Sequence, residues 1–303
     1  MNRRDFLAAA SVSLAAPAFG IDPFDRPGPG PMKLSLSAYS LRQELTAGRM
    51  SLVDFVSYCR RLGVPGAELT SYYFPEGFAA KPGEPHTADV AYLAELKRHC
   101  HVSGVSISGG AIRNDFCLDP VDLPVQLDHV RRWVEVYEIL GAPAIRVFAG
   151  NSPKGVSEED AVARCVAGLN EVVPYAGRRG VWLALENHGG ITSQPDTMLD
   201  IVRGVQGGWF GVNFDSGNFR LEDPYTALAQ IAPFAVNAQI KVEMFRPNVD
   251  GRRGDKYEAD LERVVKTLRD AGYGGWVALE YEGKEPPLEA VPRWLDRLRD
   301  LLS

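Results

Sequence analysis

Short runs with hydrophobic residues at alternate positions take turns with longer amphipathic stretches along most of the chain. The first alternating run is Lys33–Ser40, and Ser51–Leu62 follows with hydrophobic residues at helical spacing. This succession of strand and helix continues to the end of the chain. The predicted strands are Lys33–Ser40, Val64–Ser71, Gly104–Gly109, Ala144–Phe148, Val181–Glu186, Trp209–Phe214, Val236–Met244 and Gly275–Tyr281. The predicted helices are Ser51–Leu62, Thr87–His101, Val125–Leu140, Ser157–Arg178, Asp196–Val205, Pro224–Ile231, Glu258–Ala271 and Leu288–Leu302.

Eight consecutive strand–helix units predict an α/β protein with one (β/α)8 TIM barrel over residues 33–303. About 270 residues is the usual size of that barrel, and no linker divides the units. An open, doubly wound sheet is the alternative arrangement of the same units. The first strand-to-helix turn carries no G-x-G-x-x-G motif, so the closed barrel is favoured.

The first twenty residues have the composition of an export signal. Arg3 and Arg4 precede a run of small and apolar residues, and Ala16-Pro17-Ala18 fits a small-x-small cleavage site. Adjacent arginines before such a run are typical of the twin-arginine route. The apolar run is too short for a stable membrane span. We therefore expect a signal peptide over residues 1–20, an extended proline-rich linker over residues 21–32, and a periplasmic or secreted protein.

The composition narrows the classes of partner. The chain has 303 residues, of which 45% are hydrophobic and 24% charged, as in soluble globular proteins. A net charge of −6 and the lack of a basic run argue against a nucleic acid or an anionic membrane surface as a partner, and the short apolar run argues against stable membrane insertion. The four cysteines form no C-x-x-C pair, so neither a zinc knuckle nor a disulfide framework is expected. The oligomeric state stays open, a homo-oligomer included.

Four consecutive predicted strands end in a carboxylate or an amide. These residues are Glu186, Asp215, Gln239 and Glu280. The carboxyl ends of barrel strands converge on one mouth, where three close carboxylates would repel one another unless a cation lay between them. Oxygen ligands suit Mn²⁺ or Mg²⁺ better than Zn²⁺. Each residue alone has a structural explanation, such as a turn or helix cap for Asp215, but four in succession favour a site.

Other polar and aromatic residues leave the same strand ends. Asn187 and His188 follow Glu186 at a glycine turn, and Lys241 lies two residues beyond Gln239. His188 is interpreted either as a base or hydrogen-bond donor, or as a structural histidine. Lys241 is interpreted as a group that binds a substrate oxygen or as an edge charge, and Glu282 is an alternative to Glu280 at the mouth. Candidate substrate-binding residues on the second and third strand exits are Tyr72, Tyr73, Arg113 and Asn114.

Four strand ends resemble those of a known family. They are L-E-N-H-G at Glu186, F-D-S-G-N at Asp215, Q-I-K at Gln239 and the final L-E at Glu280. They are similar to the xylose-isomerase-like TIM barrels, the sugar-phosphate isomerase/epimerase family of the AP endonuclease family 2 superfamily. The resemblance covers nearly all of residues 33–303. It implies a divalent metal ion held by Glu186, Asp215, Gln239 and Glu280, although many members have His where this chain has Gln239. Endonuclease IV, a relative that uses several histidines, is excluded by the five histidines and the negative charge.

The resemblance also implies the chemistry. Metal-dependent isomerases and epimerases of this family form an enediolate from a sugar. The carboxylates that exchange protons with the sugar match Glu186 and Glu280 of this chain. His188 and Lys241 are further catalytic candidates. Export favours a small, non-phosphorylated sugar or sugar derivative. A metal-dependent lyase or dehydratase acting on a keto-sugar, keto-glycoside or cyclic polyol is the first alternative. A non-catalytic carbohydrate-binding barrel is the second, and the sequence leaves the three open.

Overall fold

A closed barrel of parallel strands forms the centre of the computed structural model, which describes residues 20–28, 30–249 and 254–303. The barrel strands are β1 Lys33–Ser37, β2 Gly66–Thr70, β3 Ser106–Ala111, β4 Ala144–Val147, β5 Trp182–Glu186, β6 Phe210–Asp215, β7 Ala235–Ile240 and β10 Trp276–Leu279. Neighbouring strands follow the order β1-β10-β7-β6-β5-β4-β3-β2, so the predicted TIM barrel is confirmed. A separate antiparallel pair joins β8 Glu243–Phe245 to β9 Lys256–Glu258.

Helices surround the barrel because each connection buries an apolar face against the strands. The helix after β1 begins with a capping box, in which Ser51 and Asp54 each bond the other's backbone N–H. Large side chains such as Phe55, Trp133 and Tyr137 are fully buried between the helices and the barrel wall. The α-helices span Arg42–Thr46, Leu52–Arg61, Val90–Ser103, Leu123–Leu140, Glu158–Arg178, Pro195–Gly204, Pro224–Ile231, Leu261–Asp270 and Pro287–Leu302.

The seventh predicted strand, Val236–Met244, is divided in the structure. The barrel strand β7 ends at Ile240, and the backbone N–H of Lys241 donates to the side chain of Ser216 instead of continuing the sheet. The chain then enters β8, which pairs with β9 outside the barrel. Periodicity predicted one strand because both pieces have extended backbone, and a change of strand partner leaves no mark on the pattern. Residues 250–253 of the predicted loop lie outside the described residues.

The predicted linker over residues 21–32 packs against the barrel instead of standing free. The ring of Phe24 meets that of Trp182 edge-on, with centroids 5.6 Å apart. The guanidinium of Arg26 donates to the carbonyls of Pro233, Ala235 and Ala271. These contacts lie at the amino ends of β5 and β7, so the segment covers the face opposite the predicted site.

The predicted signal peptide lies almost wholly outside the described residues, which begin at Gly20. Within the described part of the chain, none of the helices combines the length and apolar character needed to span a membrane.

Candidate active site

Two cations lie among the carboxylates at the mouth of the barrel. Glu186 ends β5, and its Oε2 is 2.8 Å from Nε of Arg146, which comes from β4. The other oxygen of Glu186 accepts a hydrogen bond from Asn218 at 2.8 Å. The Arg146 guanidinium also lies over the ring of Phe148, 3.9 Å from its centroid. Arg146 and Glu186 are both buried, so this ion pair is held rigidly.

Lys241 is the second cation. Its Nζ is 3.1 Å from Oδ2 of Asp215 and 3.2 Å from Oε2 of Glu280, and it also contacts Glu282. The Lys241, Asp215 and Glu280 side chains are at least nine-tenths buried. Asp215 Oδ1 accepts from the N–H of Gly217, whereas Oδ2 lies 3.1 Å from the ammonium and accepts no well-aligned hydrogen bond. One lysine therefore bridges the ends of β6 and β10.

The cluster carries more negative than positive charge. Two cations, Arg146 and Lys241, pair with four carboxylates, which leaves a formal excess of two negative charges when all six groups are ionised. The carboxylates are Glu186, Asp215, Glu280 and Glu282. Burial raises the pKa of Glu186 to about 7, although Arg146 opposes the shift. Burial also raises the pKa of Asp215, with Lys241 opposing it. Burial alone would lower the pKa of Lys241, but Asp215 and Glu280 raise it, so the amine is protonated.

Gln239 does not meet these carboxylates as the predicted ligand set requires. Its Nε2 donates to Glu68 at 2.6 Å, and its Oε1 accepts from Asn213 at 2.7 Å. Asn237 completes a closed ring, because its Nδ2 donates to both Asn213 and Glu68. All four side chains are buried inside the barrel. The residue of this segment that reaches the carboxylates is Lys241, because β7 ends at Ile240 and turns the next side chain into the mouth.

A cavity of about 530 Å³ opens above the cluster, and most of the predicted site residues line it. His188 is exposed to this cavity, and its ring lies against Phe148 with centroids 4.4 Å apart. Its surroundings lower the pKa of the imidazole through desolvation and the charges of Arg146 and Lys241, so the ring is neutral at pH 7. The predicted residues that line the cavity are Tyr72, Arg113, Asn114, Glu186, His188, Lys241 and Glu280.

Two predicted substrate-binding amides have structural bonds instead. Asn187 is fully buried and does not line the cavity. Its Nδ2 donates to the carbonyl of Asp215, and its Oδ1 accepts from the N–H of Asp215, so it holds β5 and β6 together at the site. Asn114 forms the same pair of bonds with the backbone of Phe148. Both ends of the Asn187 amide are therefore engaged by the backbone of Asp215 in this structure.

The aromatic residues after β2 divide between two surfaces. Tyr72 lines the cavity, whereas Tyr73 lines a neighbouring groove. Their rings meet edge-on with centroids 6.1 Å apart. The Arg113 guanidinium lies over the Tyr72 ring, 5.1 Å from its centroid. Of the two tyrosines, only Tyr72 lines the cavity.

Three of the four predicted ligands, Glu186, Asp215 and Glu280, have the oxygen donors and the negative charge that a divalent cation requires. The excess of two negative charges on the cluster would be neutralised by one such ion, and Asp215 Oδ2 has no other well-aligned partner. As the side chains stand, no group of three or more Asp, Glu, His or Cys among the described residues is close enough together to hold a metal. Lys241 occupies the space between Asp215 and Glu280. A metal ion at Glu186, Asp215 and Glu280 would therefore compete with the Lys241 ammonium.

Sequence reasoning did not identify Glu68, and it interpreted Arg146, which pairs with Glu186 at the mouth, as a residue of the barrel interior. Both alternate with apolar neighbours along a buried strand, and this alternation was the available signal. Burial raises the pKa of Glu68, as does Glu280. No local pattern, however, indicated that Glu68 would bond Gln239, 171 positions further along the chain.

The strands form a TIM barrel, and carboxylates at their carboxyl ends line a cavity where enzymes of this fold carry their active sites. The family model for the xylose isomerase-like TIM barrel matches residues 56–301. The chain therefore belongs to that family. No curated protein matches it.

Solved structures agree on the fold. The IolI protein with a bound zinc atom is 18% identical, with a TM-score of 0.67, over 89% of this chain and 96% of its own. The 3-keto-D-glucoside 4-epimerase of E. coli is 16% identical, with a TM-score of 0.64, over 89% of this chain and 99% of its own. A D-psicose 3-epimerase solved with D-fructose is 16% identical, with a TM-score of 0.64, over 89% of this chain and 97% of its own. At these identities the likeness establishes the fold.

Proposed function

We propose that the protein is a divalent-metal-dependent isomerase or epimerase of a non-phosphorylated sugar or sugar derivative. The observation that carries this proposal is the buried cluster of carboxylates with too few cations, which opens into a cavity of about 530 Å³. Cavities of that size hold small ligands. The similar structures include two sugar epimerases by name. The choice of a non-phosphorylated sugar rests on the expected export.

The side chains around the cavity supply groups for moving a proton between carbon atoms. Glu186 ends β5, Glu280 directly follows β10, and both side chains line the cavity. In the metal-free protein burial raises the pKa of Glu186 to about 7, and a carboxylate that is partly desolvated in this way is a stronger base than an exposed one. Lys241 offers an ammonium to an oxygen on which negative charge develops. Phe148 and Tyr72 provide apolar walls for the C–H face of a sugar ring.

The metal ion would be held by Glu186, Asp215 and Glu280, with Mn²⁺ or Mg²⁺ suited to these oxygen ligands. When bound, such an ion polarises a substrate carbonyl and stabilises an enediolate. Asn187 fixes the backbone of Asp215, and Asn218 orients Glu186. These two amides therefore hold two of the carboxylates in place before any substrate arrives.

The proposal is tested by proton exchange in D₂O. Purified protein loaded with Mn²⁺ is incubated with ketoses, aldoses and 3-keto-glycosides, and deuterium incorporation is followed by NMR. Asp215→Asn is expected to lose bound Mn²⁺ and to slow exchange by at least about a hundredfold, because the neutral amide still accepts from Gly217 but binds a cation poorly. Metal content is measured in parallel by elemental analysis.

The matched control is Asp223→Asn, an exposed helix cap outside the cavity, which should keep both metal and exchange. Equal metal content in the Asp215 variant and the wild type would contradict the proposed ligand set. Binding of sugars without exchange would favour the non-catalytic barrel. Release of water or of an aglycone from the substrate, in place of simple exchange, would favour the lyase.

Export by the twin-arginine route is a further proposal. Replacing Arg3 and Arg4 together with Lys is expected to leave most of the protein in the cytoplasm with its signal uncleaved, because that route requires the arginine pair. Cell fractionation and the mass of the mature chain give the result. Normal periplasmic levels of the double variant would contradict the route.

A further inference from the structure

A second groove adjoins the cavity on the side of β1, β2 and β3. It has a volume of about 770 Å³. We call it the cationic groove and define it by six of its lining residues: Tyr39, Arg42, Tyr72, Tyr73, Lys81 and Arg113. Three of them, Tyr39, Tyr72 and Arg113, also line the cavity. The two hollows therefore share a wall, and a ligand can extend from one into the other.

The charge of the cationic groove is opposite to that of the whole chain. The chain has a net charge of −6, yet the lining of this groove includes four Lys or Arg side chains and no Asp or Glu. Arg49, the fourth cation, is neutralised by Glu44 at 2.7 Å. Arg42, Lys81 and Arg113 form no ion pair with a carboxylate among the described residues within 4.0 Å. Arg42 also donates to the carbonyls of Tyr39 and Tyr281, whereas Lys81 and Arg113 are exposed at the groove.

Aromatic rings position two of these three cations. The guanidinium of Arg42 lies 5.1 Å from the Tyr39 ring centroid and donates to the carbonyl of Tyr281. The guanidinium of Arg113 lies 5.1 Å from the Tyr72 ring centroid. Stacked guanidinium groups keep N–H donors free in the plane of the group, where carboxylates and sulfates bind. The aromatic faces beside them suit the C–H face of a pyranose ring.

We propose that the cationic groove binds a second, anionic unit of the substrate, namely a sugar residue that carries a carboxylate or a sulfate. This inference rests on the proposed function, because it places the reacting sugar in the cavity and its linked neighbour in the groove. Tyr72 and Tyr73 contact the ring of that neighbour, and Lys81 and Arg113 bind its anionic group. The substrate is then an acidic disaccharide or glycoside and not a free monosaccharide.

The test compares neutral and anionic disaccharides of one skeleton by calorimetry on the full Mn²⁺-loaded chain. The probes are cellobiose, cellobiouronic acid and a monosulfated cellobiose. At least one anionic probe is expected to bind about tenfold or more tightly than cellobiose at low salt, and the difference should shrink at high salt. The tighter of the two identifies the anionic group.

Variants assign that difference to the groove. In Lys81→Gln/Arg113→Gln, the ratio of the anionic to the neutral Kd is expected to approach one, and the ratio is used because any general loss of binding cancels from it. Both side chains are exposed, so folding should not change. Arg98→Gln, which removes an exposed cation on the Val90–Ser103 helix, should leave the ratio as in the wild type.

Two results would overturn the inference. One is equal binding of neutral and anionic probes by the wild type, and the other is a preference that the double variant retains. Failure of the proposed function would give a different result from failure of this inference. The protein would still prefer the anionic probes but would catalyse no deuterium exchange. Deuterium exchange on neutral sugars, without tighter binding of the anionic probes, would support the proposed function. It would also mean that the cationic groove has no part in binding the substrate.

Discussion

Lys241→Met is expected to lower the free energy of unfolding of the metal-free protein by about 3–5 kcal/mol, the usual cost of removing one partner from a buried ion pair. The ammonium lies within 3.2 Å of both Asp215 and Glu280. Without it these carboxylates would face each other inside the protein with no cation between them. Chemical denaturation at neutral pH, in the presence of a chelator, measures the loss.

Mn²⁺ is expected to reverse most of this loss. Because the metal ion and Lys241 compete for the same carboxylates, saturating Mn²⁺ should raise the Tm of the variant by more than it raises that of the wild type. Lys256→Met is the matched control, since Lys256 also lines the cavity but pairs with the partly exposed Glu243. That variant should lose at most about 1 kcal/mol and show the wild-type response to Mn²⁺. An equal response of the Lys241 variant and the wild type would contradict competition at this site.

The carboxylates of the site could be predicted because each ends a strand. A buried apolar run ends at Glu186, and another ends at Asp215. Once eight such runs indicate a barrel, a side chain at the end of a run is expected at the mouth. Glu280 comes directly after β10 for the same reason. Strand periodicity and barrel topology together were therefore sufficient to bring these three residues to one mouth.

The contribution of the seventh strand could not be predicted in the same way. Gln239 and Lys241 lie on one face of an alternating run, so the pattern does not separate the residue inside the barrel from the residue at its mouth. The difference comes from the ring of Glu68, Asn213 and Asn237, which occupies both ends of the Gln239 amide. Such contacts join β2 to β6 and β7 and depend on closure of the barrel.

The packing of the segment before β1 against the barrel could not be predicted from its sequence, for a physical reason. Its prolines and lack of periodicity predict extended chain, and the described part of it has no helix or strand. Extended chain can still pack, however, when its side chains find partners. Arg26 does so by donating to three carbonyls at the amino ends of the barrel, and Phe24 does so against Trp182. Composition alone does not report these contacts.

The largest kinetic effect is expected for His188→Asn, which should slow deuterium exchange by about 10²–10⁴-fold, the usual contribution of a general acid or base. His188 follows the Glu186 strand end and is exposed to the cavity, with its ring against Phe148. Its backbone N–H donates to Thr192, a bond that the substitution preserves. Because the side chain is exposed and its only ring contact among the described residues is with Phe148, the variant should change the free energy of unfolding by only about 0.5 kcal/mol.

The measurement therefore combines exchange rate, Mn²⁺ content and Tm for the same preparation. A rate loss in that range with unchanged metal content and Tm assigns His188 a direct part in proton transfer or substrate binding. His101→Asn, an exposed histidine at the end of the Val90–Ser103 helix, controls for general effects of the substitution. Exchange that survived within a few-fold would leave the proton transfer to Glu186 and Glu280, which also line the cavity. Loss of metal together with the rate would instead mean that His188 holds the Glu186 strand end in place.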